Sequence, residues 1–129
     1  MPPPIPRDIE SVGTKVLDAA FAVHRELGPG LLESVYETCL CHELRKLGID
    51  FVAQAQLPIF YDGIRIESGL RLDLLVAGSV IVELKAIDQM APIHEAQLLT
   101  YMKLANVRLG FLLNFNSIML RDGMKRLVL

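Results

Sequence analysis

Apolar residues along the chain recur first with a helical period and then with a strand period. From Ile9 they fall at Val12, Val16, Leu17, Ala20, Val23 and Leu27, which predicts a first helix with Asp8 as its N-cap, ending at Gly28-Pro29-Gly30. Leu32, Val35, Tyr36, Cys39, Leu40, Leu44 and Leu47 form one broad stripe, a second helix closing at Gly48. Beyond Gly48 the period shortens. FVAQAQLPIFY, Asp62-Gly63 and IRI read as a hairpin, because Asp-Gly between alternating apolar residues favours a tight turn. LRLDLLV and VIVELKA follow as strands joined by a turn around Gly78. Pro92 suits the first turn of a third helix, which runs through IHEAQLLTYMKLA to about Asn106. RLGFLLNF reads as a buried strand, and IML with RLVL as a short final strand or hairpin. This order predicts an α/β protein with a mixed sheet and helices packed against it.

Within this pattern, DLLVAGSVIVELKA places Asp73, Glu83 and Lys85 inside an otherwise apolar stretch. Side chains alternate across a strand, so Glu83 and Lys85 share one face while Val82, Leu84 and Ala86 share the other. In the preceding strand Arg71 and Asp73 take one face, and Leu70, Leu72, Leu74 and Val76 the opposite one. A three-residue loop at 77–79 sets Asp73 directly opposite Glu83; a two-residue loop would put them on opposite faces. The former is expected. Opposed residues have Cβ atoms about 4.5–5.5 Å apart, so two carboxylates would be pressed together unless something positive intervenes. One resolution is a structural ion-pair cluster, Lys85 with Glu83 and Arg71 with Asp73. The other is a Mg²⁺ or Mn²⁺ ion on the two acids, with Lys85 free to orient a nucleophile or stabilise developing charge.

Two further motifs bear on that choice. In GLLESVY, Glu33 and Tyr36 share a face at the start of the second helix. An acid there also suits the helix dipole, and a tyrosine on an apolar stripe is usually core. In HEAQLLTY, His94, Gln97 and Tyr101 make a polar ridge beside the apolar stripe of Leu98, Leu99, Met102 and Ala105. His94 reads as a capping or buried histidine before it reads as a ligand.

Composition narrows the class. The chain has 129 residues, 52% hydrophobic and 22% charged, enough for a single core and too apolar for disorder. No signal peptide is expected from MPPPIPRD, and no apolar run reaches the roughly 18 residues of a membrane span, so a soluble cytoplasmic protein is expected. A net charge of −2 excludes a global basic field, and any nucleic-acid site must be local. Cys39 and Cys41, two apart on a helix, point to different faces, which argues against a mutual disulfide or shared metal ligation and for reduced, buried or half-buried thiols. The expected organisation is a flexible N-terminal segment, residues 1–7, followed by one domain over residues 8–129.

Asp73, then Glu83-x-Lys85, resembles the D…(D/E)xK signature of the PD-(D/E)xK nuclease superfamily. Upstream Glu33 and downstream Gln97-xxx-Tyr101 resemble the additional motifs of its RecB-like branch. Gly30-xx-Glu33-xx-Tyr36 is similar to the signature of the small bacterial GxxExxY proteins, and the resemblance extends from about Val12 to Val128. It implies a restriction-endonuclease-like fold, a central mixed sheet flanked by helices. It also implies Glu33, Asp73 and Glu83 as acidic metal-site residues for Mg²⁺ or Mn²⁺ and Lys85 as the catalytic lysine. Gln97 and Tyr101 would support the site or contact substrate, and Tyr36 would pack behind it. Leu72 stands where the signature has proline, and two cysteines cannot supply the iron–sulfur cluster of some RecB-like members.

The function expected on this basis is a divalent-metal-dependent nuclease acting on DNA or RNA, with no membrane partner. The alternative is a non-catalytic nucleic-acid or protein-interaction module that keeps the nuclease fold. The acidic balance and the absence of tryptophan favour that alternative. A purely structural salt-bridged sheet is a third reading. The apolar C-terminal LVL would allow a homo-oligomer paired through the last strand.

Overall fold

In the computed structural model, which describes residues 1–129, the first apolar stripe becomes helix α1, Arg7–Leu27, with Val16, Ala19, Ala20 and Val23 buried. Its N-cap is Pro6, so Asp8 already lies within the first turn. Asp8 is therefore not the cap, and its charge acts on the helix dipole instead. Gly28, with φ 70°, turns the chain out of α1. Helix α2, Glu33–Lys46, buries Tyr36, Leu40, Cys41 and Leu44. Cys39 is half-buried and Cys41 buried, and both are free thiols.

The strand region forms two sheets. Strand β1, Phe51–Gln56, is an outer strand of the main sheet and pairs with β4, Arg71–Val76, so FVAQAQ takes no part in the hairpin expected of it. The chain breaks at Leu57-Pro58, where proline offers no ladder N–H. Only β2, Ile59–Tyr61, and β3, Ile64–Ile66, form that hairpin, across Asp62 and Gly63 at φ 51° and 76°, the double left-handed turn favoured in hairpins.

Strand β5, Val80–Lys85, follows β4 through the expected loop at 77–79 and pairs antiparallel with it from Val76↔Val80 to Leu74↔Val82. Helix α3, Pro92–Ala105, crosses over to β6, Leu109–Asn114, which runs parallel to β5. Ala91 N–H donates to His94 Nδ1 at 2.9 Å, so His94 closes the start of α3. A 3-10 turn, Leu120–Gly123, leads to β7, Met124–Val128, the opposite outer strand. IML is thus part of a turn and not of a terminal hairpin. The main sheet has the order β1-β4-β5-β6-β7.

Two apolar layers cover it. A cluster of 18 buried residues joins α1 and α2 to Leu74, Val76, Val80, Val82 and Leu84, and a cluster of 8 joins α3 to Ile81 and Leu112. The α1/α2 side is therefore the main core, and Glu83 and Lys85 belong by alternation to the other face. Leu72 departs from the pattern: with its partner Ala55 and neighbouring Leu70 it packs in the smaller cluster, not with Leu74 and Val76. The cause is a break in the β1–β4 ladder between Ala53↔Leu74 and Ala55↔Leu72, where Gln54 takes a left-handed φ of 53° and turns the strand. Arg108 ties the termini to β6, donating to the carbonyls of Leu129 (2.8 Å), Pro4 (3.2 Å) and Pro3. No helix is long and apolar enough to cross a membrane.

Helix α3 docks closely on β6 because Gly110 has no side chain. A Cβ at that position would stand 2.7 Å from Met102 Sδ and 3.4 Å from Leu98 Cδ1, and both side chains are fully buried. Gly110→Ala is expected to lower the unfolding free energy by about 1–3 kcal/mol through overpacking. Denaturant titration checks this, and an unchanged midpoint would show that α3 is not held at that distance.

Candidate active site

The β4–β5 ladder ends at Leu74↔Val82, one pair short of Asp73 and Glu83. Beyond it, carboxylates replace the backbone bonds. Leu84 N–H donates to Asp73 Oδ2 at 2.8 Å, and Asp73 N–H donates to Glu83 Oε1 at 3.4 Å. Asp73 is unpaired on its β1 side as well, where the ladder skips Gln54. The strands therefore open around Asp73, and the backbone donors that the opening would orphan are satisfied by acids. Glu83 and Lys85 remain rigid because β5 stays paired with β6 through Lys85↔Asn114, and Phe115 N–H donates to Lys85 O at 2.8 Å.

Loops at the same end of the sheet bring α2 to this opening. Tyr36, fully buried, donates to Gly28 O at 2.6 Å, accepts from Leu31 N–H at 3.1 Å and stacks on Phe115 with ring centroids 4.7 Å apart. Gly30 N–H donates to Asn116 Oδ1 at 3.0 Å. Asn114, buried, donates to Ile87 O and accepts from Ile87 N–H and Asn116 N–H, joining the ends of β5 and β6. With its entry loop pinned in this way, α2 begins at Glu33 within electrostatic reach of Asp73 and Lys85. Tyr36 is thus the packing residue that the spacing suggested.

The charges interact unevenly. Burial, a hydrogen bond with Asp73 and repulsion from it push the Glu83 carboxyl up to about 9. Burial and then the negative charge of Asp73 raise Glu33, against the pull of Lys85. Burial also raises the Tyr101 hydroxyl, with the charges of Glu83 and Asp73 adding to it. Neither Lys85 nor Arg71 forms a salt bridge; the ion pairs of the protein are Lys46–Glu43, Arg65–Glu67 and Arg126–Glu10, all elsewhere. The salt-bridged cluster considered from the sequence therefore does not form.

Asp73 and Glu83 thus meet at one end of the sheet, with Glu33, Lys85 and Tyr101 within electrostatic reach of them. Gln97 lies one turn before Tyr101 on α3, exposed, and forms no hydrogen bond with them. A further acid on α2 feels the charge of Asp73. Glu37 is raised by burial and by Asp73, and its Oε1 accepts from Gln54 Nε2 at 2.8 Å. Its signal was present in the sequence, since a residue four after Glu33 lies on the same helix face.

A protein-family model described as the PD-(D/E)XK nuclease superfamily matches residues 10–127. The chain belongs to the PD-(D/E)XK nuclease superfamily. No curated protein and no solved structure matches it. The open mixed sheet with helices on both faces is that expected of this superfamily, whose members are typically nucleases and generally use Mg²⁺ or Mn²⁺.

The donor chemistry of the site fits such an ion. Its acids offer carboxylate oxygens, the hard ligands that Mg²⁺ prefers, and burial together with the adjoining Asp73 drives Glu83 towards its protonated form against the pull of Lys85. No three acidic, histidine or cysteine side chains stand together as a group that could hold a metal ion. An ion held by one or two carboxylates that keeps several waters needs none.

The shift of Glu83 has a consequence for the metal-free protein. Unfolded, the carboxyl ionises near its ordinary value of 4.5; folded, near 9. The native state holds the extra proton in between, so this contribution to stability is whole below the lower value, declines as pH rises and is lost above the upper one. Denaturant unfolding followed from about pH 5 to 9 is expected to show wild type losing stability, with a shallower slope for Glu83→Gln and the variant more stable at alkaline pH. Parallel slopes would contradict the assignment.

Proposed function

We propose that this protein is a divalent-metal-dependent nuclease that hydrolyses phosphodiester bonds of DNA or RNA. The observation that carries the proposal is the convergence of Asp73, Glu83 and Lys85 on opened strands without any ion pair between them. A structural cluster would have neutralised itself.

In this reading Asp73 and Glu83 would hold Mg²⁺ or Mn²⁺ directly, Glu33 would reach the ion through one of its waters, and the ion would supply positive charge to a phosphate. Lys85, fixed on β5, orients the attacking water or stabilises charge developing in the transition state. Tyr101, held above its ordinary range, stays a hydroxyl donor at neutral and mildly alkaline pH. Gln97, exposed on the same helix, is placed to contact a bound strand. We assign the catalytic domain to residues 8–129 and the protein to the cytoplasm, where free Cys39 and Cys41 would stay reduced. The net charge of −2 favours a second reading, a binding module that keeps the nuclease fold without hydrolysis.

Single- and double-stranded DNA and RNA incubated with Mg²⁺ or Mn²⁺ separate the two. Metal-dependent cleavage is expected from wild type, with Lys85→Ala reduced by about 10²-fold or more and Glu83→Gln likewise deficient. Equal cleavage by wild type and variants would assign the activity to a contaminant. Binding without cleavage of any substrate would support the second reading.

A further inference from the structure

The β2–β3 hairpin leaves its side chains uncovered. Phe60, Tyr61, Ile64 and Ile66 are all exposed, and neither apolar cluster includes any residue of the hairpin. A two-stranded hairpin is marginal in water by itself, and apolar surface held out in this way marks a place of contact. We propose that this hairpin holds an unpaired nucleic-acid strand for the site at Asp73, with Phe60 and Tyr61 as the rings on which bases stack. The proposal rests on the reading of that site as one that acts on nucleic acid, and it names the substrate as single-stranded.

The first argument for this occupant is the chemistry of the side chains. Of five phenylalanines and three tyrosines, Phe60 and Tyr61 alone are exposed, at 62% and 71%, and they are adjacent. Phe60 opposes Arg65 and Tyr61 opposes Ile64, so the rings lie on opposite faces of the ribbon, each a separate stacking surface. Glu67 holds Arg65 at 2.6 Å, with the guanidinium 5.8 Å from the centre of the Phe60 ring. A ring beside a guanidinium suits a base and its phosphate together.

The second argument is place. The root of the hairpin ends at Arg71, two residues before Asp73. Gln56 pairs with Arg71, and Leu57 N–H donates to Leu70 O at 3.0 Å. Ser68 Oγ donates to Leu57 O at 2.7 Å and accepts from Leu70 N–H at 3.1 Å. This clamp ties the hairpin to the strand pair that opens at Asp73. A cleft of about 280 Å³ at the root is lined by Gln56, Glu67, Ser68, Gly69 and Arg71. Arg71 forms no ion pair and is exposed, so it offers a cation to a backbone phosphate between the rings and Asp73 along the chain.

The third argument is charge. A protein of net charge −2 gains little from phosphates alone, whereas stacking needs no basic field. Bases within a duplex stack on one another and present only their edges. Unpaired bases present their faces, which selects the single strand.

Fluorescence anisotropy of the full chain with labelled oligo(dT) and oligo(rU), each alone and annealed to its complement, tests this in EDTA, where no metal supports cleavage. At least one of the single strands is expected to bind more tightly than its duplex, and the pair of arms distinguishes DNA from RNA. Phe60→Leu and Tyr61→Leu, which keep apolar surface but remove the rings, should each weaken that binding about tenfold. Phe60→Tyr and Tyr61→Phe should keep wild-type affinity. With Mg²⁺, the leucine variants should raise KM and leave kcat near that of wild type.

Wild-type affinity in both leucine variants, or equal affinity for single strand and duplex, would overturn the inference, and metal-dependent cleavage by the same wild type would leave the reading of the site intact. Ring-dependent binding without cleavage would uphold the hairpin's role and overturn hydrolysis. A dimer in sedimentation that the leucine variants keep and Tyr61→Asp dissociates would overturn the inference and assign the hairpin to a second copy of the chain. Circular dichroism establishes folding of each variant. Should the leucine variants not fold, a strand carrying 2-aminopurine reports stacking on wild type directly, and unchanged fluorescence on binding would overturn the inference.

Discussion

Two carboxylates, Asp73 and Glu83, occupy the place where the ladder between two central strands would otherwise continue. Each accepts a backbone N–H from the opposite strand, so the acids are structural as well as chemical: remove one, and a strand donor loses its partner. This ties the opening of the sheet to the charge within it. The repulsion between them is relieved by a proton on Glu83, since moving the side chains away would give up the bonds that finish the strands.

The rest of the fold keeps that arrangement from collapsing. Strand β5 is buried along its length and locked to β6 by an unbroken parallel ladder, which fixes Glu83 and Lys85. Tyr36, Asn114 and Asn116 bind the loops at this end of the sheet to one another, so α2 arrives with Glu33 within electrostatic reach of Asp73. From the other face, close docking of α3 at Gly110 brings Tyr101 within reach of the same acids. Two helices from opposite layers thus meet at the one edge where the strands part. Setting buried carboxylates side by side lowers stability, a cost commonly accepted at functional sites.

Much of this could be read from the sequence because it depends on short-range geometry. Alternation along VIVELKA sets Glu83 and Lys85 on one face, and the three-residue loop at 77–79 sets the register with Asp73. Asp62-Gly63 marked its hairpin through the turn that its backbone favours. Where local signals competed, the reading failed. Local pattern assigns FVAQAQ to the nearest hairpin, whereas its partner β4 lies beyond that hairpin in the chain. Asp8 looked like a cap, but the fixed backbone of Pro6 begins the helix before it.

By itself, then, the sequence determined the elements, the face on which Glu83 and Lys85 would lie and the superfamily resemblance that the family match bears out. Tertiary structure alone decided that Lys85 and Arg71 form no ion pairs, that Leu72 joins the α3 layer and that Gln54 of β1 bonds Glu37 of α2. The physical reason is the same in each case. Periodicity describes a regular strand or helix, whereas these features arise where β1 turns left-handed at Gln54 and where helices from separate layers converge on the resulting gap.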